Sequence, residues 1–293
     1  MAKIAVELER ALAQRAERGT RGSARARAIA AGDGWSVADV VCTSGPADHP
    51  FEEQHAHYSI AVVVAGSFEY RSPRGHGLMT PGSLMLGNAG HCYECGHRHA
   101  EGDRCVAFWY EPEYFERLAA DAGLRRRAGF HNAKLPALAA VSPLVARAAA
   151  GAVGLSDVAW EELGVELAAA ALAADSGAPG AASDLPAGAA ARVTRTIRAI
   201  ERHHDAPLSL RRLARAAGLS PFHFLRTFER LTGITPHQYL RRARLREAAM
   251  RLADAPAKVL DIALDCGFGD VSTFNRAFRA EFGVSPTRYR LSA

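Results

Sequence analysis

Several features that define other protein classes are missing from this chain of 293 residues. The most apolar region, residues 135–174, is mostly alanine and is broken by prolines and charges, which excludes a membrane span there. Residues 1–30 alternate charged with small apolar residues and contain no continuous apolar segment, so we expect no signal peptide. GxSxG, P-loop and glycine-rich dinucleotide fingerprints are absent too. These absences predict a cytoplasmic protein with no membrane partner that is not an enzyme.

The cysteines do not suggest a disulfide framework. The chain has five of them, an odd number, and Cys92, Cys95 and Cys105 crowd into one short region. In a chain without an export signal, this pattern favours free thiols or metal ligands.

The charge is divided unevenly along the chain. Residues 190–293 hold 19 basic and 9 acidic residues, a net +10, whereas residues 1–189 hold 17 and 22, a net −5. The change of sign coincides with residues 174–190, a stretch with two prolines, three glycines and few bulky side chains, which is typical of a flexible linker. An acidic N-terminal part joined to a basic C-terminal part predicts two domains, of which the second binds a polyanion.

The front half has strand-like composition first and helical composition afterwards. Short runs rich in β-branched and aromatic residues, separated by glycine and proline, lie at residues 59–64, 67–71, 83–86 and 104–110. This spacing is typical of an antiparallel sandwich or barrel. A helical pattern begins at Pro112, and a further helix is expected over residues 157–174.

The back half is helical and repeats itself. We expect helices over residues 210–217, 221–231, 236–253, 259–266 and 271–282. The repeat has an offset of fifty residues, at which Phe224, Arg226, Phe228, Gly233, Pro236 and Tyr239 recur as Phe274, Arg276, Phe278, Gly283, Pro286 and Tyr289. Upstream, Gly218 matches Gly267 at an offset of forty-nine residues, so the turn of the second copy is one residue longer than that of the first.

Each copy follows the helix-turn-helix plan, a short helix, a glycine turn and a second helix. The phenylalanines of each second helix share one face and are expected to pack inward. The opposite face then carries Arg226 in the first copy, and Asn275 and Arg276 in the second. A helix fits the major groove of DNA, where arginine pairs with guanine and asparagine with adenine. The long helix between the copies could place both on successive grooves, about 34 Å apart.

The alternative interpretation is a helical bundle with a coincidental repeat and a solvated arginine face. Two copies in phase, the basic charge and an arginine at the same place in both argue against it. Other arginines of this half are expected to hold phosphates or to face water; they are Arg211, Arg212, Arg241, Arg242 and Arg244.

Residues 192–290 closely resemble the DNA-binding domain of AraC/XylS-type transcription regulators. The resemblance rests on LARAAGLSPFHFLRTFERLTGITPHQYLR and IALDCGFGDVSTFNRAFRAEFGVSPTRYR. It implies binding near promoters, most often as an activator that works with RNA polymerase. Carried over by position, the DNA-binding residues are Phe222, His223, Leu225, Arg226, Val271, Ser272, Thr273, Asn275 and Arg276. Because Phe222 and Leu225 are apolar, the first helix is expected to read thymine methyls or DNA shape more than hydrogen bonds.

The front half resembles the cupin-type β-barrel that often precedes this DNA-binding domain in the family. The similarity lies in His55 and His57 before a strand, Pro81-Gly82 before another, and His91 at the place of a third histidine. The glutamate that cupins carry a few residues after the histidine pair is missing, since Ala61 and Val62 stand there. The departure weakens a prediction of catalytic metal chemistry.

The segment HCYECGHRHAEGDRC contains many metal-binding residue types. Imidazole and thiolate bind Zn and other transition metals, and two ligand sets remain open. One is cupin-like, with His55, His57 and His91; the other is local, with Cys95, His97 or His99, and Cys105. The alternative without a metal site is a polar loop beside an empty barrel, with the cysteines packed as small hydrophobic residues. No cofactor is certain; Zn or another transition metal is the candidate.

The sequence therefore predicts an α+β protein of two domains, with a cupin-like antiparallel β-barrel flanked by helices and an all-α bipartite helix-turn-helix domain. The expected limits are an N-terminal arm (1–30), a sensor domain (31–175), a linker (176–189) and a DNA-binding domain (190–293). The predicted function is a transcription regulator, expected to be an activator, that binds double-stranded promoter DNA under the control of an effector at the N-terminal barrel and forms a homodimer. The alternatives are a metal- or redox-responsive switch at residues 91–105 and, third, a methyl acceptor in DNA alkylation repair.

Overall fold

The computed structural model describes residues 3–123, 129–175, 188–254 and 256–292. The predicted linker, residues 176–189, lies almost entirely outside these described residues. Contacts divide the chain into two compact units. Residues 3–136 and 159–184 form the first, which we call the sheet unit, and residues 137–158 and 185–293 form the second, the helical unit.

The sheet unit contains the strands of the described chain and three helices. The strands are β1 (Ala24–Gly32), β2 (Trp35–Cys42), β3 (Phe51–Gln54), β4 (Tyr58–Gly66), β5 (Phe68–Ser72), β6 (Gly75–Met79), β7 (Leu84–Gly87), β8 (Cys92–Gly96), β9 (Asp103–Tyr110) and β10 (Lys134–Leu135). The helices are α1 (Lys3–Arg18), α2 (Pro112–Asp121) and α4 (Trp160–Ala174).

These strands form two antiparallel sheets that share one core. The larger sheet has the order β1-β2-β9-β4-β7-β10, and the smaller has the order β3-β8-β5-β6. Val63 and Ala107 of the larger sheet pack with Phe68, Tyr70 and Met79 of the smaller one. The α+β division of the chain is confirmed. The closed cupin barrel is not, because the described strands leave both sheets open.

Local chemistry explains why the larger sheet ends where it does. At one edge, β1 exposes the charged side chains of Arg25 and Arg27, which discourages a further strand from pairing there. At the other edge, β10 is two residues long and Pro136, which has no N–H to donate, follows it directly.

The residues predicted as an N-terminal arm form α1 and most of β1. Ile4 and Leu8 of α1 are buried, and they share one helical face because they are four residues apart. The guanidinium of Arg104 on β9 donates to the Ile4 carbonyl at 2.9 Å and makes two bonds of 2.8 Å to the Asp39 carboxylate. Burial alone would raise the pKa of Asp39, but Arg104 and Arg27 hold it below its usual value.

The helical unit is built from α3 (Ser142–Ala152), which follows a 3-10 turn (Ala139–Val141), and from seven helices in the back half of the chain. The latter are α5 (Ala189–Arg202), α6 (Leu210–Ala216), α7 (Pro221–Thr232), α8 (Pro236–Asp254), α9 (Val259–Asp265), α10 (Val271–Phe282) and α11 (Pro286–Ser292). The five helices expected from the sequence are confirmed, each end within one residue.

The repeat is also a repeat of packing. In the first copy, Phe224 and Phe228 have ring centroids 5.6 Å apart, and Phe228 meets Tyr239 edge-on at 5.7 Å. The corresponding distances in the second copy are 5.5 Å between Phe274 and Phe278 and 5.4 Å to Tyr289. All four phenylalanines are fully buried, as the periodicity predicted.

The segment around α3 comes from the front half of the sequence and packs into the helical unit. Ala146 joins the core cluster of Leu245, Ala249 and Phe278. The Ser142 hydroxyl donates to the Glu281 carboxylate at 2.5 Å.

Two arginines expected to face phosphates or water are structural instead. Arg242 is buried, donates to the same Glu281 carboxylate at 3.0 Å and also donates to the Ala137 carbonyl. Its place on the inner face of α8 requires this compensation, since an unpaired buried charge is costly. Arg244 is half-buried and donates to the His204 and Ala206 carbonyls at 2.7 and 3.0 Å.

The aromatic core gives a stability prediction. Phe274→Ala should lower the free energy of unfolding of the helical unit by about 3–5 kcal/mol, because it removes buried apolar surface and leaves a cavity. Urea unfolding followed by circular dichroism would measure it. The matched control is Phe222→Ala, whose side chain is 62% exposed and should change stability by less than about 0.5 kcal/mol. Equal effects of both variants would contradict the assigned core.

Candidate nucleic-acid interface

The first helix-turn-helix is formed by α6 and α7. Gly218 makes the turn with a φ of +64°, a left-handed conformation that suits glycine. The Ser220 hydroxyl then caps α7 by accepting from the His223 backbone N–H at 3.3 Å, and Pro221 occupies the first helical position. Gly233, with a φ of +81°, ends the helix. These local signals fix where α7 begins and ends.

The outer face of α7 carries the residues predicted for the first recognition helix. Phe222, His223 and Arg226 are exposed, and Leu225 is half-buried. The Arg226 guanidinium lies over the Phe222 ring, 5.7 Å from its centroid. A flat cation stacked on an exposed ring presents both an apolar and a charged surface to a partner.

The second helix-turn-helix is formed by α9 and α10. Gly267 makes its turn with a φ of +85°, where a Cβ would meet the Asp205 carbonyl oxygen at 2.6 Å. The Asp270 carboxylate caps α10 by accepting from the Thr273 backbone N–H at 2.7 Å. That bond lowers the pKa of Asp270, so the cap is complete at neutral pH and is lost as the pH falls through the lowered pKa.

The outer face of α10 carries more polar side chains than that of α7. Ser272, Thr273, Asn275 and Arg276 are exposed, and Val271 is half-buried. An Arg276 N–H donates weakly to the Thr273 hydroxyl at 3.4 Å, which leaves the other guanidinium N–H groups free for a ligand. Arg226 and Arg276 therefore occupy equivalent exposed positions in the two copies.

The three histidines of the cupin-like set do not form one cluster. His55 is buried, bonds to the Tyr70 hydroxyl at 2.9 Å and stacks on Tyr93 at 4.1 Å. Burial, and next the nearby His91, lowers its pKa to about 4. His57 instead faces Glu111 at 3.4 Å. Within the described residues, no choice of one ring nitrogen from each of these three histidines places all of them within 4.8 Å of one another.

The local cysteine and histidine set is also divided. His97 is buried against Asp103, whereas His99 faces Glu69 at 3.8 Å. Cys95 packs in the core between the sheets, and the Cys105 thiol donates to the Asp103 carboxylate at 3.3 Å. Within the described ranges, the group that brings three ligand types together is Cys42, His97 and Asp103.

The sequence analysis missed Cys42 and Asp103. Cys42 lies far from the cluster along the chain, and only strand pairing places it opposite Asp103. Cys42 is the buried last residue of β2, and no pattern in the sequence marks it as a ligand. The signal that could have found Asp103 is the acidic residue inside the cysteine and histidine segment.

The cysteines differ in exposure and in thiol chemistry. Cys92 is exposed, and the other four are buried without disulfides. Burial, and then Asp103, raises the pKa of Cys42 to about 11, and burial raises that of Cys266 to about 12. Burial likewise raises the pKa of Cys95 and Cys105 well above the usual value. All four are neutral thiols at physiological pH when no metal is bound.

Comparisons with known proteins match the helical unit. A family model described as a helix-turn-helix domain matches residues 213–292. Regulatory protein SoxS of Salmonella typhimurium is 37% identical over 91 residues, which are 31% of this chain and 85% of SoxS. The right origin-binding protein of Escherichia coli K12 is 41% identical over 93 residues, 32% of each chain.

A solved structure is similar to about a third of the chain. The DNA-binding domain of AdpA, crystallised with a target DNA, is 29% identical and covers 34% of this chain and 91% of its own, with a TM-score of 0.34. The chain spans about a third of the length of the first curated relatives it matches, which are 37% and 32% covered.

The two capped helix-turn-helix units, the family model and the match to SoxS define a protein of the helix-turn-helix DNA-binding class. The chain belongs to the AraC family of transcription regulators, and its relatives include the transcriptional regulator Rob of Salmonella typhimurium and the regulatory protein SoxS. The resemblance of residues 192–290 to the DNA-binding domain of this family is thereby confirmed. Among the described helices, none has both the length and the apolar composition needed to cross a membrane.

Thiol exposure gives a direct prediction. In the folded chain one cysteine, Cys92, should react rapidly with a maleimide at pH 7.5, and all five should react in denaturant, because the thiolate is the nucleophile and the buried thiols stay protonated. Intact-mass spectrometry would count the adducts. Cys92→Ser should abolish the fast adduct, and Cys266→Ser should leave it. Any fast adduct in Cys92→Ser would contradict the burial of the other four cysteines.

Proposed function

We propose that the protein is a sequence-specific transcription regulator that binds double-stranded promoter DNA with α7 and α10. One observation carries this proposal: Arg226 and Arg276 stand at the same exposed position of two helices whose opposite faces are buried by the same phenylalanine pattern. A bundle without a ligand has no need to expose both arginines in the same register.

The length of α8 supports binding by both copies together. This helix has 19 residues, which span about 28 Å at 1.5 Å per residue. Successive major-groove faces on one side of B-DNA are about 34 Å apart. The helix-turn-helix units that flank α8 are thus separated along the chain by an element of suitable length.

The residue types assign different roles to the two helices. On α10, Arg276 suits guanine, Asn275 suits adenine, and the hydroxyls of Ser272 and Thr273 suit either base or a phosphate. On α7, Phe222 and Leu225 favour thymine methyls, while Arg226 adds a hydrogen-bonding group. His223 and Val271 complete the proposed contact set near the start of each helix.

The surrounding charge suits a polyanion. Residues 190–293 carry a net +10, from 19 basic and 9 acidic residues. Arg211, Arg212 and Arg241 are exposed and are proposed to contact phosphates, unlike the structural Arg242 and Arg244. Phosphate contacts of this kind make affinity fall steeply with salt and carry no sequence information.

A two-variant binding experiment tests the assignment. A preferred sequence is first selected from random DNA with the full chain, and affinity is then measured by fluorescence anisotropy. Arg276→Ala should lower affinity for that sequence by about 5–150-fold, or about 1–3 kcal/mol, with a smaller loss on scrambled DNA, because a base contact is removed. Arg226→Ala should behave in the same direction.

Arg74→Ala is the matched control, since it removes an exposed arginine from the turn between β5 and β6 of the sheet unit. It should leave both affinities unchanged. An equal loss on selected and scrambled DNA would make Arg276 a phosphate contact. No loss for either recognition-helix variant would reject the proposed interface.

We further propose that an effector bound to the sheet unit controls DNA binding. The cupin-like interpretation of this unit stays a proposal, supported by the two-sheet antiparallel core. Large side chains, among them Phe68, Tyr70 and Met79, occupy that core. A groove of about 260 Å³ between α1 and β1 offers room elsewhere.

The groove has the chemistry of an anion site. Six arginines line it: Arg10, Arg15, Arg18, Arg21, Arg25 and Arg27. Arg15 is paired with Asp48 at 2.7 Å and Arg27 with Asp39 at 2.9 Å. Within the described part of the chain, the other four form no ion pair and are exposed. An acidic effector, such as a polycarboxylate or a phosphorylated metabolite, would compensate this charge.

Thermal unfolding at constant ionic strength tests the effector class. Citrate or inorganic pyrophosphate at 100 times its dissociation constant should raise the unfolding temperature of the sheet unit by about 5–10 °C, since a ligand stabilises the state it binds. The double variant Arg18→Ala/Arg21→Ala should lose the shift, and Arg74→Ala should keep it. The anion-site proposal fails if neither anion shifts the wild-type transition, or if the double variant retains the shift.

The remaining partners follow from the family. Contact with RNA polymerase, action as an activator, homodimer formation and residence in the cytoplasm stay proposals. They are supported by the regulator names of the similar proteins and by the promoter-binding role proposed above.

A further inference from the structure

A buried group of metal-binding side chains lies in the sheet unit, away from the recognition helices. Cys42 ends β2 and Asp103 begins β9, and these two residues are directly paired across the sheet. His97 follows β8, a strand of the smaller sheet. One ligand atom from each of the three residues lies within 4.8 Å of the other two. The group therefore joins the ends of strands from both sheets.

The carboxylate of this group has no cationic partner from arginine or lysine. The Asp103 side chain is 7% exposed, and it accepts from His97 Nε2 at 2.7 Å and from the Cys105 thiol at 3.3 Å. In the described chain no arginine or lysine forms an ion pair with it. Asp39, on the same strand as Cys42, is by contrast held by Arg104 and Arg27. A buried carboxylate without such a partner is costly unless a cation compensates it.

The imidazole supplies a second, independent observation. The His97 side chain is 1% exposed, and its Nδ1 atom has no hydrogen-bond partner among the described residues. Buried nitrogen atoms are rarely left unpaired, and an ion or an ordered water is a common reason when they are. The buried ring thus has one nitrogen paired with Asp103 and one nitrogen without a hydrogen-bond partner among the described residues.

We propose that Cys42, His97 and Asp103 bind one Zn²⁺ ion. Thiolate, imidazole and carboxylate are the three ligand types that zinc takes in proteins. The thiolate and the carboxylate supply two negative charges that balance the ion, and the imidazole binds as the neutral ring. The Cys42 thiol proton leaves to solvent or to buffer when the ion binds, whereas the neutral imidazole keeps its one proton on the ring nitrogen that does not bind the ion.

The positions require only local adjustment. Zinc bonds of about 2.0–2.3 Å place tetrahedral ligand atoms about 3.5 Å apart. The three ligand atoms already lie within 4.8 Å, so shifts of about 1 Å or less close the site. Cys105, which bonds to the second Asp103 oxygen, orients that carboxylate from outside the ligand set.

This set differs from both sets that the sequence suggested. It contains none of the cupin-like histidines, and of the local candidates it keeps only His97. The ion would tie the end of β2, the start of β9 and the segment after β8 together, so its role is structural within the sheet unit. It requires neither the proposed DNA contacts nor the proposed effector.

Metal content and cobalt spectroscopy test the site. The full chain is produced without a histidine tag in zinc-supplemented medium and then dialysed. Inductively coupled plasma mass spectrometry should find about one zinc per chain. Stripped protein refilled with Co²⁺ should show the near-ultraviolet charge-transfer absorption of a cobalt–thiolate bond. Cys42→Ser should lose that band, and Cys42→Ser, His97→Ala and Asp103→Asn should each weaken zinc binding by about tenfold or more.

Two exposed neighbours provide matched controls. Cys92→Ser and His99→Ala alter the same sequence segment, but their side chains lie at the surface. Both variants should keep the stoichiometry and the cobalt–thiolate band. Circular dichroism of each variant separates loss of metal from loss of fold.

The outcomes decide the proposal even if a core variant does not fold. A wild-type chain that takes up no stoichiometric Zn²⁺ in a direct titration overturns it, as does a cobalt spectrum without a thiolate band. Loss of metal in His55→Ala or Cys92→Ser, with Cys42→Ser unaffected, would also overturn it. Loss confined to the Cys42, His97 and Asp103 variants that remain folded supports it.

Discussion

The helical unit depends on one packing arrangement used twice, two phenylalanines on a helix and a tyrosine on the next. The distances and the edge-on angles, 79° and 80°, are nearly the same in the two copies. Because the four phenylalanine rings are fully buried, each recognition helix has one rotational setting about its axis. That setting turns the positions of Arg226 and Arg276 outward. The aromatic core thereby determines which side chains are available to DNA.

Capping adds precision along the helix axis to this rotational setting. A hydroxyl or carboxylate bonds to the backbone N–H three residues on, at Ser220 in one copy and at Asp270 in the other. Glycines with positive φ close both helices, at Gly233 and Gly283. The first turn of each recognition helix, which carries the predicted base contacts, is therefore also the part that the caps hold in place.

The helical unit could be predicted from sequence because its signals are local. The predicted helix ends agree with the observed ends to within one residue where proline, serine and glycine mark them. The prediction that Arg242 faces phosphates or water was wrong because its partner, Glu281, is distant in the chain. No residue near Arg242 in the sequence indicates that a buried carboxylate will pair with it. The contacts of the sheet unit were harder to predict from the sequence. Cys42 and Asp103, for example, are brought opposite each other only by strand pairing. Strands such as β1, rich in arginine and alanine, lack the β-branched composition on which the sequence analysis relied.

The position of α3 separates what is shared with relatives from what folds together. The helix-turn-helix match begins at residue 213, yet the compact unit that contains it includes residues 137–158. A fragment cut at the similarity boundary would leave Glu281 without the Ser142 hydroxyl and would expose the part of the core that Ala146 covers. The region shared with relatives and the compact unit therefore differ in extent. A fragment that keeps the whole helical unit has to join two separate stretches of the gene.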